Sequence, residues 1–162
     1  MFAKVLKTTG MAESQLDEKI APIYTQYKNP VTTILASQGE VQIHLTGRGK
    51  TEKEAEILVN EVSDKMELVL GECIFSRGRE SLEEIVGYYL LMRQKTLSIA
   101  ESCTGGLISE RITRVPGSSE YFLCGVTCYS NQSKINLAEI PPLVIEMNGA
   151  VSPEVAKSLA EE

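Results

Sequence analysis

A strictly alternating run over residues 40–46 constrains the fold more than any other feature of the sequence. Apolar residues occupy every second position and polar residues lie between them: Val41, Ile43 and Leu45 alternate with Gln42, His44 and Thr46. This period of two predicts a strand with one buried face and one solvated face. A strand-like run at 31–36 precedes it, and residues 37–39 between the two runs predict the turn of a hairpin.

Helical patterns and short strands surround this hairpin. In chain order they are a strand at 2–8, a helix capped by Ser14 and ending near Tyr24, a helix from Thr51 to Gly71, and a strand at 73–76. Thr51 and Glu54 have the spacing of a capping box. The predicted apolar stripe of the long helix consists of Ile57, Leu58, Val62, Met66 and Val69. The order β-α-β-β-α-β predicts an α+β sandwich that occupies residues 1–76.

A polar, glycine-containing linker at 77–80 precedes a second domain at 81–162. Its predicted elements are a helix from Ser81 with Glu84 as a capping box, a strand at 96–101, a helix at 104–115, a buried apolar strand at 121–129, a helix from Ser130 or Asn131 through Ala138, and helices that begin at Pro141-Pro142 and Ser152-Pro153. Helices that alternate with apolar strands predict an α/β sheet domain. Because two strands make a marginal sheet and the last helix has no C-cap, this domain looks incomplete as written.

Composition excludes several classes of protein. The 162 residues carry a net charge of −6 without a basic stripe, which argues against nonspecific nucleic-acid binding. No apolar run reaches the length of a membrane span and the N-terminus lacks the pattern of a signal peptide, so a cytoplasmic protein is the default expectation. The spacing of the four cysteines does not suit a zinc site. Cys124 and Cys128 are interpreted as small buried hydrophobes on one face of a strand.

The densest cluster of small polar residues, 100–106, lies between a predicted strand and a predicted helix. Ligands of open α/β sheets bind beyond the carboxyl ends of strands, and Ser102 and Cys103 are candidate nucleophiles there. The backbone N–H groups of Thr104, Gly105 and Gly106 could hold an oxyanion or a phosphate. The alternative is an ordinary glycine-rich helix cap. Glu101 could orient a substrate, balance Lys134, or simply end the strand in solvent.

A second polar cluster, 129–134, follows the next predicted strand. Tyr129 ends that strand, and Lys134 lies in the first turn of the following helix, where the helix dipole disfavours a cation and the amine is a candidate general base. The alternative is an ordinary surface lysine. Together with Ser102 these residues resemble a Ser-Lys hydrolase that needs no histidine. The only histidine, His44, lies in the other predicted domain, and a solvated strand position explains it.

These motifs resemble the CinA family of competence/damage-inducible proteins. In the second half the matching segments are 100–106, 115–119, Tyr121-Phe122, Gly125-Val126, 129–131, Lys134 and 148–152, and in the first half they are 6–10 and 20–22. The resemblance covers essentially the whole chain. It implies a KH-like domain followed by the N-terminal part of the family's C-terminal amidohydrolase domain, truncated before its last strands.

The resemblance also implies an activity and its residues. The family's C-terminal domain converts nicotinamide mononucleotide to nicotinate mononucleotide and ammonia. Its Ser-Tyr-Lys set falls on Ser102, Tyr129 and Lys134, and Cys103 with residues 104–106 would bind substrate or the oxyanion. Acyl transfer by this set needs neither a metal nor another cofactor. The expected partners are a pyridine nucleotide and a second copy of the chain, with no membrane partner.

Two alternatives to an enzyme follow from the same sequence. One is a non-catalytic module that docks on a partner or on another copy of itself through apolar surface. The other is RNA binding through the KH-like half, for which the Gly47 to Lys50 turn is a candidate contact. That turn lacks the G-x-x-G spacing, and the acidic net charge argues against RNA.

Overall fold

A computed structural model describes residues 1–37 and 39–161 of the chain. The chain divides into two compact units, Met1–Ile85 and Val86–Glu162. None of the helices in the described residues is both long enough and apolar enough to span a lipid bilayer.

The first unit is an antiparallel sheet covered by two helices. Its elements are β1 (Phe2–Thr9), α1 (Glu13–Tyr24), β2 (Val31–Ser37), β3 (Glu40–Gly47), α2 (Glu52–Leu70) and β4 (Ile74–Ser76). The strand order is β2-β3-β1-β4, and every neighbouring pair is antiparallel. This confirms the predicted β-α-β-β-α-β sandwich. Of the predicted hairpin turn, Gln38 lies outside the described residues, and Gly39 has a φ of +82°.

The alternating face of β3 supplies the centre of the first core. Val41, Ile43 and Leu45 are all buried, as the period of two predicts. They pack with the buried faces of β1, α1 and α2, whose members are Leu6, Leu16, Ile20, Val59, Val62 and Met66. The apolar side chains that leave water here therefore fix the register of the sheet as well as its stability.

Two details of the first-unit helices differ from prediction. Helix α1 begins two residues earlier than predicted, at Glu13, with Ala12 and not Ser14 at the cap position, and the N–H of Ala12 donates to Gln15 Oε1 (3.3 Å). The buried face of α2 is also shifted round the helix, and Ile57 and Val69 on the predicted stripe are exposed. The buried positions step by three or four residues: Ala55, Val59, Val62, Met66 and Leu70. Ile57 is exposed because it lies two residues after the buried Ala55. A helix turns by about 200° over two residues, so the two side chains point to nearly opposite sides.

The helix caps mostly form as predicted. At Ser81 the capping box is complete, since its N–H donates to Glu84 Oε2 (2.7 Å) and its Oγ accepts from the N–H of Glu84 (3.2 Å). Thr51 Oγ1 accepts from the N–H of Glu54 (3.1 Å), but the Glu54 carboxylate accepts from the N–H of Lys50 (2.7 Å) and not from Thr51. The first turn of α2 is therefore capped by one half of the predicted box.

The second unit contains a short parallel sheet and several short helices. Helix α3 (Leu82–Met92) crosses the division between the units and is followed by β5 (Leu97–Glu101), α4 (Leu107–Thr113), β6 (Phe122–Thr127), α5 (Asn131–Leu137), α6 (Pro142–Asn148) and α7 (Pro153–Glu161). β5 and β6 pair in parallel, with Glu101 opposite Thr127 at their carboxyl ends. A small core lies beside them and consists of Cys128, Ala138, Ile140, Ile145 and Val155.

The prediction of a fully buried strand at 121–129 is wrong for β6. Leu123 is 65% exposed, and Cys124 is exposed as well. In the described residues β6 has one neighbouring strand, which makes it an edge strand, and its exposed side chains show that it is not covered on both faces. Burial is confined to the residues that flank the strand, Tyr121 and Cys128. The interpretation of both cysteines as buried hydrophobes therefore holds for Cys128 alone.

Candidate active site

The carboxyl ends of β5 and β6 bring two of the candidate residues to one edge of the sheet. Glu101 ends β5, and its carbonyl oxygen accepts a hydrogen bond from the N–H of Cys128 (2.7 Å), just past the end of β6. Ser102 and Tyr129 directly follow these two residues. The backbone therefore leaves the sheet at neighbouring points with Ser102 on one strand and Tyr129 on the other.

The side chain of Lys134 is buried at the same edge. Its exposed fraction is 2%, and Nζ donates a hydrogen bond to the carbonyl oxygen of Tyr129 (3.2 Å). Ser130 fixes the start of α5, because its Oγ accepts from the N–H of Ser133 (3.0 Å). The alternative of an ordinary surface lysine is therefore wrong for Lys134.

The three side chains are brought to one edge without being joined to one another. The Tyr129 side chain is 72% exposed, while Ser102 is half-buried. Within residues 1–37 and 39–161, no hydrogen bond joins the side chains of Ser102, Tyr129 and Lys134. Lys134 is tied to the main chain of Tyr129, and the phenol remains open to solvent.

The segment predicted to begin a helix at Thr104 is a turn. Helix α4 begins only at Leu107, and Gly105 and Gly106 have φ angles of +63° and +101°, which side-chain-bearing residues rarely adopt. The N–H of Gly105 donates to the carbonyl oxygen of Ser102 (3.0 Å). The N–H of Gly105 therefore holds the turn together, and it is not free to act as one of the predicted oxyanion or phosphate donors.

Glu101 caps helix α4, a role that the sequence prediction missed. Its carboxylate accepts hydrogen bonds from the N–H of Ile108 (2.9 Å) and from both the N–H (2.8 Å) and the hydroxyl (2.6 Å) of Ser109. The N–H groups of Ile108 and Ser109, in the first turn of α4, are thus occupied by a protein side chain, and neither is among the predicted donors at 104–106. A standard capping box would not reveal this, because Glu101 lies seven residues before Ile108.

The same contacts keep Glu101 ionised. Burial acts to raise its pKa, but hydrogen bonds from Ser109, from the N–H of Ile108 and from the Thr104 side chain outweigh burial and lower the pKa to about 2. The carboxylate is only 3% exposed. A fixed negative charge is therefore carried at neutral pH by the residue that immediately precedes the candidate nucleophile in the chain.

A cavity of about 270 Å³ opens above Ser102. It is lined by the 102–104 turn, by Glu101, by Ser152 and by apolar residues from the end of β5, α4, the 150–151 segment and α7: Ala100, Ile108, Ala150, Val151, Val155, Ala156 and Leu159. Cys103, the other candidate nucleophile, is exposed and also lines it. The cavity can hold a small, flat, largely apolar group with its reactive end against Ser102.

In the described part of the chain, no three or more His, Cys, Asp and Glu side chains gather in a way that could hold a metal ion.

Comparison with known proteins identifies the family. Residues 79–162 match the model of the CinA C-terminal domain, and residues 3–76 match that of the damage-inducible protein CinA KH domain. The chain belongs to the CinA family.

CinA relatives match nearly the whole chain. It is 54% identical over 156 residues to a CinA-like protein of Koribacter versatilis, covering 96% of this chain and 38% of that protein. It is 41% identical over 160 residues to a putative competence-damage inducible protein of Moorella thermoacetica, covering 99% and 38%. The chain thus spans less than half the length of the curated CinA relatives it matches.

Two solved CinA-family structures match about half of the chain. The competence damage-inducible protein A from Klebsiella pneumoniae has a TM-score of 0.46 and 25% identity, covering 47% of each chain. The competence/damage inducible protein from Agrobacterium tumefaciens has a TM-score of 0.46 and 30% identity, covering 53% of this chain and 54% of that one.

In the CinA KH domain, the Gly47 to Lys50 turn is tied down by Asn29. The amide of Asn29 donates to the carbonyl oxygen of Arg48 (2.8 Å) and accepts from the N–H of the same residue (2.9 Å). The backbone at Arg48 is therefore satisfied within the protein, which favours a plain structural turn over a phosphate contact.

Proposed function

We propose that this CinA protein is a nicotinamide-nucleotide amidohydrolase, which converts nicotinamide mononucleotide and water to nicotinate mononucleotide and ammonia. The observation that carries the proposal is the buried amine of Lys134, held by the carbonyl oxygen of Tyr129 at the sheet edge where Ser102 also lies. Membership of the CinA family supports it further. The proposal includes a cytoplasmic location, where the protein would encounter such a nucleotide.

The proposed reaction proceeds by acyl transfer. Ser102 Oγ attacks the carboxamide carbon, and Lys134 takes the hydroxyl proton, directly or through the phenol of Tyr129. The C–N bond then breaks, and the same proton is delivered to the leaving nitrogen, which departs as ammonia. Water hydrolyses the acyl-enzyme, releases the carboxylate product and returns the proton to Ser102.

The turn after Ser102 supplies the proposed oxyanion donors. Because the N–H of Gly105 already donates to the Ser102 carbonyl oxygen, the proposal assigns this role to the N–H groups of Cys103, Thr104 and Gly106. One such donor typically lowers the barrier by about 3 kcal/mol. The apolar cavity above Ser102 would hold the pyridine ring.

Ammonia release from nicotinamide mononucleotide tests the proposal. We expect turnover by the purified chain and a loss of at least about a thousandfold in kcat for Ser102→Ala, since the nucleophile is removed. Ser14→Ala is the matched control, because Ser14 is an exposed serine of the KH domain without a capping role. Equal rates for Ser102→Ala and the unsubstituted protein would contradict the assignment.

A second candidate function is self-association through the second unit. Val126 on the edge strand β6 is 36% exposed and Leu137 on α5 is 65% exposed, and both line a largely apolar groove of about 510 Å³. Two copies could cover this surface in an isologous dimer. Sedimentation at increasing protein concentration would then show a dimer, and Leu137→Glu would shift it to monomer. A monomer at every concentration would count against it.

A further inference from the structure

The wall of the cavity above Ser102 contains one side chain that carries a charge at neutral pH. Of the described residues that line it, Glu101 is that residue, and the others are apolar, small or uncharged. We infer that Glu101 makes this cavity select for carboxamides whose ring bears a positive charge. The inference rests on the proposed function, because it assumes that the carboxamide group is the one bound against Ser102.

Hydrogen bonds hold the carboxylate of Glu101 in place, and among residues 1–37 and 39–161 no cationic side chain is found paired with it. Each recorded donor to its carboxylate is an uncharged group: the N–H groups of Ile108 and Ser109 and the hydroxyls of Ser109 and Thr104. Such donors hold the oxygens and keep the group ionised, but they leave its net charge of −1 unchanged. At 3% exposure, water screens that charge poorly.

The remaining surface of the cavity strengthens this field. Much of the lining comes from the 150–151 segment and from α7, and these side chains are apolar: Ala150, Val151, Val155, Ala156 and Leu159. A charge acts over a longer distance where apolar groups replace water. A neutral aromatic ring gains only apolar contact in this cavity, whereas a cationic ring also gains attraction to Glu101.

Nicotinamide nucleotides have the required chemistry. The ring nitrogen is bonded to the ribose, so the ring is a pyridinium cation that carries the carboxamide. Free nicotinamide and benzamide rings are neutral. Hydrolysis turns the carboxamide into a carboxylate, which places a negative charge near Glu101. The same residue therefore favours binding of the cationic amide and departure of the acidic product.

Equilibrium binding to the full chain carrying Ser102→Ala tests the inference without turnover. The two probes are nicotinamide mononucleotide and benzamide riboside 5′-phosphate, which share ribose, phosphate and carboxamide and differ in ring charge. We expect the cationic probe to bind at least about tenfold more tightly. Adding Glu101→Gln should bring the ratio of the two dissociation constants close to one, whereas Glu101→Asp, which keeps the charge, should preserve it.

Ser109→Ala is the matched control for structural damage. It removes one hydrogen bond to Glu101 but leaves the charge, so both probes should weaken together and their ratio should stay unchanged. If the ratio of the two dissociation constants is unchanged by Glu101→Gln, the inference is overturned. Equal binding of the two probes when Glu101 is intact also overturns the inference. This second outcome does not depend on whether the Glu101→Gln variant folds.

Turnover by the unsubstituted protein separates this inference from the proposed function. Charge-selective binding without ammonia release would leave the inference standing and reject the amidohydrolase. Ammonia release without charge-selective binding would support the amidohydrolase and overturn the role of Glu101.

Discussion

Glu101 carries a charge where water contributes little to its solvation. The hydrogen bonds from α4 and from Thr104 replace that water, and their loss on unfolding is the reason that its pKa differs between the folded protein, about 2, and an exposed glutamate, 4.5. A pKa that is lower in the folded state adds stability above pH 4.5, and that stability disappears as the pH falls from 4.5 towards 2.

The pH dependence of the unfolding free energy should therefore contain a contribution from Glu101. Between pH 6 and pH 2.5 we expect the protein to lose up to about 3 kcal/mol of unfolding free energy through this group, at 1.36 kcal/mol for each pKa unit. The Glu101→Gln variant lacks this titration, so its urea midpoint should fall less steeply with pH. Other carboxylates with lowered pKa values, such as Glu67, titrate in both proteins and cancel in the comparison. Parallel pH profiles for the two proteins would contradict the assignment.

At the scale of the element, local chemistry decides where helices begin. Thr51 and Ser14 are both polar residues near predicted helix starts, yet only Thr51 accepts a hydrogen bond from the first turn. We expect Thr51→Ala to lower the unfolding free energy by about 1 kcal/mol, within the usual range for a lost N-cap. Ser14→Ala should change it by less than about 0.5 kcal/mol. Denaturant titration of both variants measures this, and similar losses for the two would count against the observed caps.

Strong local signals are the ones that the sequence predicts correctly. The alternation through β3 and the box at Ser81 each depend on a few adjacent residues, and both are confirmed. The start of α4 and the exposure of β6 depend on contacts that lie outside these local patterns. Glu101 reaches across a turn to cap α4, and the burial of a strand depends on which layers cover it. Neither effect leaves a periodic pattern in the sequence.

In the candidate site, too, some features could be predicted from the sequence and others could not. Ser102, Tyr129 and Lys134 are predicted from polar clusters at strand ends, and parallel pairing of β5 with β6 puts Ser102 and Tyr129 at neighbouring strand ends. The burial of Lys134 and the role of Glu101 could not be predicted, because each depends on a hydrogen bond formed only in the folded chain.

At the scale of the whole molecule, the two units differ in how well their sheets are covered. Among the described residues, the first unit has a four-stranded sheet with two helices packed on one face. The second unit has a two-stranded sheet with an exposed edge. We expect amide exchange to be slowest in β1 and β3 and clearly faster in β5 and β6, because exchange follows the free energy of local opening. Exchange mapped by mass spectrometry on the whole chain tests this order, and slower exchange in β5 and β6 would refute it.

The hydrogen bond from Lys134 ends on a peptide oxygen, and no substitution of a side chain can delete a peptide oxygen. Tyr129→Phe leaves that carbonyl oxygen available to the amine of Lys134. Phenylalanine at that position would thus remove the phenol alone, so the contributions of phenol and amine to the chemistry are experimentally separable.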